Sequence, residues 1–149
     1  MELLKIKKLK ENAKVPSRGT QGSAGLDLCA CIDEPITLNG GDTALIPTGI
    51  AIALPSADYG AFVFPRSGIA VKHGIGLLNS VGVIDSDYRG EIIVALHNDS
   101  EETRIVTHGD RIAQIIFQYS DRPIDGFEEV ETLSETIRGE GGFGSTSKN

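Results

Sequence analysis

Gly60-Ala61-Phe62-Val63-Phe64-Pro65-Arg66-Ser67-Gly68 decides how the rest of the chain is read. Its first part is a short aromatic and β-branched run, opened by glycine and stopped by proline, as strands are. Beyond Pro65 the residues favour a turn and then a helix start, so one short helix is expected at about residues 66–72. The same grammar recurs to either side. Gly25-Leu26-Asp27-Leu28-Cys29-Ala30-Cys31 and Gly49-Ile50-Ala51-Ile52-Ala53-Leu54 are short, alternating and bounded by turn residues. Further strands are expected over residues 91–97, 103–107 and 111–118. Asn39-Gly40-Gly41-Asp42, Pro47-Thr48-Gly49, Asn98-Asp99-Ser100 and His108-Gly109-Asp110 punctuate them. No stretch reads as a long amphipathic helix. The pattern predicts an all-β domain of the sandwich, barrel or jelly-roll kind.

With 149 residues the chain fits one domain large enough for a hydrophobic core. Only 5% of it is aromatic and Trp is absent, so aliphatic side chains must fill that core. No apolar run reaches the roughly 18–20 residues of a membrane span, and the N-terminus lacks the pattern of a secretory signal. A cytoplasmic protein with no membrane partner is expected. The net charge is −7, and the one dense basic cluster is Lys5, Lys7, Lys8 and Lys10. That cluster reads as the solvated face or edge of a first strand. Nucleic acid is not expected as a partner, because polyanion binding leaves a clustered basic footprint; a small anion needs only a few local donors. Cys29 and Cys31 read as reduced thiols, since two cysteines without neighbouring ligands close no zinc site. His73, His97 and His108 have no metal-ligand spacing.

Three places and the tail could carry chemistry. Pro65-Arg66-Ser67-Gly68 combines a helix start, a hydroxyl and a guanidinium, which suits a phosphate and is also good turn chemistry. Ile84-Asp85-Ser86-Asp87-Tyr88-Arg89-Gly90 brings two carboxylates close together, as a hydrated turn or as a base or metal-oriented site. Gln114 is isolated among apolar residues and needs partners, either a structural backbone bond or a ligand. In the tail, Arg138-Gly139-Glu140-Gly141-Gly142-Phe143-Gly144-Ser145-Thr146-Ser147 is too glycine-rich to hold regular structure alone. A lone ring with hydroxyls and an arginine could nevertheless order on a ligand.

Taken in order, these segments resemble the trimeric dUTPase family. Five motifs carry the likeness: Ala24-Gly25-Leu26-Asp27-Leu28, Pro65-Arg66-Ser67-Gly68-Ile69-Ala70, Gly82-Val83-Ile84-Asp85-Ser86-Asp87-Tyr88-Arg89-Gly90, Gly109-Asp110-Arg111-Ile112-Ala113-Gln114 and the tail. The resemblance implies a jelly-roll (β-clip) subunit with one short helix, a β core over residues 1–136 and a flexible C-terminal arm over residues 137–149. It implies a homotrimer with shared sites. It implies hydrolysis of dUTP to dUMP and pyrophosphate with magnesium, which keeps uracil out of DNA and supplies the precursor of dTMP.

It also implies roles. Asp85 resembles the general base that activates water for attack on the α-phosphorus. Aspartates in water titrate near about 3.9 and are ionised at neutral pH. Asp27 resembles the carboxylate that holds magnesium through water. Tyr88 would lie under the deoxyribose and exclude a 2′-hydroxyl. Uracil would enter a β-hairpin over residues 79–93, with Asn79 and Ile93 among its contacts. Arg66, Ser67, Gly68 and Gln114 would hold phosphates or the attacking water. Phe143 would stack on the base while Arg138, Gly144, Ser145 and Thr146 close over the phosphates. Ordering such an arm costs about 1–2 kcal/mol per residue, so closure should await the triphosphate. Ser147 stands where the family usually has glycine, and Leu26 where an aromatic is common. A dCTP deaminase, alone or bifunctional, is the nearest rival. It would carry an Ala-Arg pattern after the serine, which Arg66-Ser67-Gly68-Ile69-Ala70-Val71-Lys72 lacks. A regulatory protein of the same fold would not need Asp27, Asp85, Tyr88 and the tail together.

Overall fold

The computed structural model describes residues 3–119 and 126–137. Along the chain the strands are β1 (Lys5–Lys8), β2 (Leu26–Cys29), β3 (Ile36–Leu38), β4 (Thr43–Pro47), β5 (Ile50–Ala53) and β6 (Tyr59–Phe64). Helix α1 (Ser67–His73) follows, then β7 (Ile75–Leu77), β8 (Gly82–Ile84), β9 (Ile93–Asn98), β10 (Arg104–Val106) and β11 (Arg111–Tyr119). The largest sheet has the order β2-β11-β6-β8, a second β4-β9-β7, and two pairs, β1-β5 and β10-β3, complete the set. All of these pairings are antiparallel. The expected all-β jelly-roll subunit with one short helix is the architecture found.

The longest strand, β11, organises the molecule. It is flanked by β2 and β6, so neither of its backbone edges faces water along the paired stretch. Ile112, Ala113 and Ile115 are buried there, while Arg111, Gln118 and Tyr119 are exposed. They join Leu28, Ile46, Ile50, Ala61, Val94 and Leu96 in one core. No aromatic side chain is buried among the described residues, so the core is aliphatic, as the composition requires. Tyr59 and Tyr119 instead stack edge to face at the rim, with centroids 5.3 Å apart. Burial of each large aliphatic residue stabilises the fold by about 1.5–3 kcal/mol.

Two polar devices fix the loops. Asn98 is fully buried; its amide donates to the carbonyls of Leu38 and Glu102, and its Oδ1 accepts from the Ser100 N–H and hydroxyl. All the polar capacity of that side chain is thereby used, as burial demands. The helix starts one residue later than expected. It ends at Gly74, whose φ of 65° allows its N–H to turn back to the Ala70 carbonyl at 3.0 Å. At the N-terminus, Lys5 to Lys8 form a strand paired to β5 alone, the expected lysine-rich edge. Residues 126–137 contain no strand or helix, and Phe127, Leu133 and Ile137 are exposed. No helix among the described residues is long and apolar enough to cross a membrane.

Candidate active site

Strand ends and one helix start converge on a polar pocket of about 210 Å³, lined by Asp27, Arg66, Ser67, Gly68, Arg111 and Gln114, with Gly25 and the 19–23 turn. Asp27 lies on the edge strand β2 opposite Gln114 of β11, and Gln114 in turn opposes Phe64 of β6. The register therefore brings the ends of three strands to one level. Arg66 is the N-cap residue of α1, with extended backbone and no side-chain cap, and Ser67 and Gly68 open the helix, exposed. The first backbone N–H groups of any helix have no intrahelical partner.

Asp27 is clamped by two arginines. Its Oδ1 lies 2.9 Å from Arg66 Nε and its Oδ2 lies 3.2 Å from Arg111 Nη1. Arg66 also donates through Nη1 to the Arg111 carbonyl at 3.2 Å. Gln114 donates from Nε2 to the Pro65 carbonyl at 3.0 Å, the structural backbone bond expected as one of its two alternatives, and its second amide hydrogen is not used by that bond. A Cβ on Gly25 would come within 2.7 Å of Gln114 Oε1, which explains the glycine there. Arg111 is the residue that sequence reasoning quoted in a motif but gave no role. A lone cation at the start of a mostly apolar strand was the available signal.

A second pocket of about 230 Å³ opens on the far side of the same sheet, lined among others by Asn79, Gly82, Asp85, Tyr88, Glu91 and Ile93. It lies between the two larger sheets. Here the expectation of a β-hairpin over residues 79–93 needs correction: β8 pairs with β6, whereas β9 pairs with β4 and β7. The two arms of the segment belong to different sheets, so they form a cleft and not a paired hairpin. The carboxylate of Asp85, just past β8, is exposed and takes part in no hydrogen bond or ion pair among the described residues, although its carbonyl accepts the Tyr88 N–H at 3.1 Å. Tyr88 is 45% exposed, and its hydroxyl donates to the Glu91 carbonyl at 2.9 Å.

Among the described residues no group of three His, Cys, Asp or Glu side chains could cage a metal. The donor set suits magnesium held chiefly by phosphate oxygens and water, with a single carboxylate nearby. Asp27 fits that part. Its arginine partners use two of the roughly four acceptor positions of a carboxylate, leaving others for metal-bound water. Cys29 and Cys31 are free thiols, and burial pushes the Cys29 thiol up from its ordinary value, ahead of the opposing charge of Lys14. Of the sequence-derived site residues, Arg138, Phe143, Gly144, Ser145 and Thr146 lie outside the described residues, as does all of the proposed arm beyond Ile137.

The family model for dUTPase matches residues 11–147. The deoxyuridine 5'-triphosphate nucleotidohydrolase of Desulfitobacterium hafniense is 53% identical over 135 residues, spanning 89% of this chain and 87% of its own. That of Rickettsia felis is 51% identical over 144 residues, spanning 96% and 95%. Among solved structures, the Staphylococcus bacteriophage 80alpha dUTPase with dUpNHpp superimposes with a TM-score of 0.81 at 26% identity, covering 97% of this chain and 98% of that one. The dUTPase of phage phi11, for which coordination of a structural Mg(II) ion is described, has a TM-score of 0.77 at 23% identity and shares the fold. With close relatives matched over nearly its whole length, the chain belongs to the dUTPase family.

Proposed function

We infer that the protein hydrolyses dUTP to dUMP and pyrophosphate. The observation that carries this reading is the contrast between its two site aspartates. Asp27 is neutralised by Arg66 and Arg111 in a pocket rich in donors, while the exposed Asp85 carboxylate near Tyr88 has no partner among the described residues. One suits a structural charge in a phosphate cradle. The other is free to take a proton.

In the proposed mechanism Asp85 orients a water and accepts its proton as the oxygen attacks the α-phosphorus. The bond from that phosphorus to the bridging oxygen breaks, and pyrophosphate leaves with the electron pair. Arg66, Ser67, Gly68 and Gln114 hold the phosphates, with Arg111 added on the strength of its place beside Asp27. A magnesium ion held at this site would supply charge neutralisation for the leaving group. Asp27 would hold that ion through water. Tyr88 faces the deoxyribose, and Asn79 and Ile93 line the cleft that takes uracil. Arg138, Phe143, Gly144, Ser145 and Thr146 would close over the bound nucleotide as a C-terminal arm, residues 137–149, on a core of residues 1–136.

The proposal extends to the assembly. The phosphate cradle and the Asp85 cleft sit at opposite edges of one sheet, with β11 and β6 between them. A homotrimer in which each site joins the cradle of one subunit to the cleft of another satisfies this geometry.

The test is product analysis of the purified protein with each dNTP and with UTP, with and without magnesium. dUMP and pyrophosphate from dUTP are expected; ammonia from dCTP, or no turnover of dUTP, would overturn the assignment. Asp85→Asn should lose most turnover yet keep binding of an unhydrolysable dUTP analogue. Near-normal rates in that variant would remove Asp85 as the base.

A further inference from the structure

The loop that carries Tyr88 is fastened to the core through its neighbour Glu91. Glu91 Oε1 accepts the N–H of Gly49 at 2.7 Å. The next residue is held from the same turn: Thr48 Oγ1 donates to the Ile92 carbonyl at 2.6 Å, and the Ile92 N–H donates to the Ile50 carbonyl at 2.9 Å. That turn is a rigid platform. Thr48 is 1% exposed, Ile46 and Ile50 are fully buried, and Gly49 has a φ of 70° with Cys31 and Ala13 packed against it. On the other side of the loop, Tyr88 reaches the Glu91 carbonyl, and its ring folds over Gly90 closely enough that a Cβ there would lie 2.6 Å from Cζ.

We propose that Glu91 is a positioning residue for sugar selection, tying the Tyr88 ring to the Thr48–Gly49 turn. The proposal rests on the reading that Tyr88 faces the sugar. A wall of side chains rejects a substrate that adds one hydroxyl by leaving no room for it. That rejection depends on the wall not yielding. The Glu91 side chain removes the give: it engages a backbone donor in the buried turn, and its own carbonyl anchors the phenol. Truncating it leaves the Gly49 N–H without its acceptor and frees the residues between Asp85 and Glu91 to move outward.

The experiment is the ratio of kcat/KM for dUTP over UTP in the full-length protein. Glu91→Ala should lower this ratio about tenfold, the scale of one hydrogen bond to a charged group. Glu91→Gln, which keeps an acceptor for Gly49, should stay within about threefold of wild type, since it exchanges a charged for a neutral hydrogen bond. Thr48→Val, acting on the same platform without touching the carboxylate, should lower the ratio in the same direction, and it carries the test if Glu91→Ala does not fold. A ratio unchanged in Glu91→Ala, or in Thr48→Val where that stands in, with only the unfolding temperature reduced, would make the contact purely structural and overturn the proposal. Tyr88→Ala separates the two levels. If it too keeps the wild-type ratio, the reading that Tyr88 faces the sugar fails; if it loses the ratio while Glu91→Ala does not, the positioning role alone fails.

Discussion

Asp27 and Asp85 stand at opposite edges of one four-stranded sheet, with β11 and β6 between the strands that carry them. Strand spacing alone separates them by about 14 Å. The register adds to this, because Asp27 is level through Gln114 with Phe64, whereas Ile84, next to Asp85, is level with Ala61. Chains inactivated at Asp27 and chains inactivated at Asp85 should therefore complement each other. Refolded together in equal amounts, they should regain about a quarter of wild-type activity, since each shared site draws at random on two chains. An inactive mixture that gel filtration shows to be trimeric would refute sharing.

Deleting residues 139–149 should reduce the chemical step far more than it reduces assembly. Single-turnover rates and the sedimentation coefficient read the two effects separately. Failure of the truncated chain to assemble as the full-length chain does would make the arm an assembly element.

Gly90→Ala should disturb selectivity without unfolding the protein. The new methyl would meet the Tyr88 ring, which is nearly half exposed and can swing outward. UTP should gain relative to dUTP by roughly an order of magnitude, within the range that a single side-chain wall controls. Steady-state kinetics on both nucleotides, with circular dichroism as the check on folding, would measure it.

Gly49→Ala should instead cost stability. Its positive φ disfavours any side chain, and the methyl would lie 2.7 Å from both Cys31 Sγ and Ala13 Cβ. Strain and overpacking together predict a loss of about 2–4 kcal/mol. Urea unfolding would register this as a lower midpoint at an unchanged slope.

The Cys29 thiol should react slowly with iodoacetamide in the native protein and quickly after unfolding, because burial raises its folded-state pKa. The folded state then holds the proton more tightly than the unfolded one. Its contribution to stability is full below the ordinary thiol value of 9.0 and declines as pH rises above it. Replacement by Ser should flatten that alkaline decline in the unfolding temperature.

Much of the architecture could be read from local pattern. β11 announced itself as a long apolar run after a Gly-Asp turn, and α1 followed Pro65 as its residues suggested. Strands β3, β4, β7 and β8 did not, because they carry little pattern of their own and exist through partners elsewhere in the chain. Pairing of β8 with β6, and not with β9, is likewise a tertiary choice that no period within residues 79–93 encodes. The site divides in the same way. Arg66, Ser67 and Asp85 were visible as turn chemistry, but Arg111 acquires meaning only through the antiparallel register that sets it beside Asp27. Glu91 has no pattern of its own in the sequence, and its bond to Gly49 is what places it.

The scarcity of aromatic residues leaves the molecule with a built-in optical label. Trp is absent and there are three tyrosines, of which Tyr59 and Tyr119 are locked against each other away from the cleft. Tyr88 is thus the lone phenol lining the Asp85 cleft, so a change in ultraviolet emission on titration with ligand would report its surroundings without any dye.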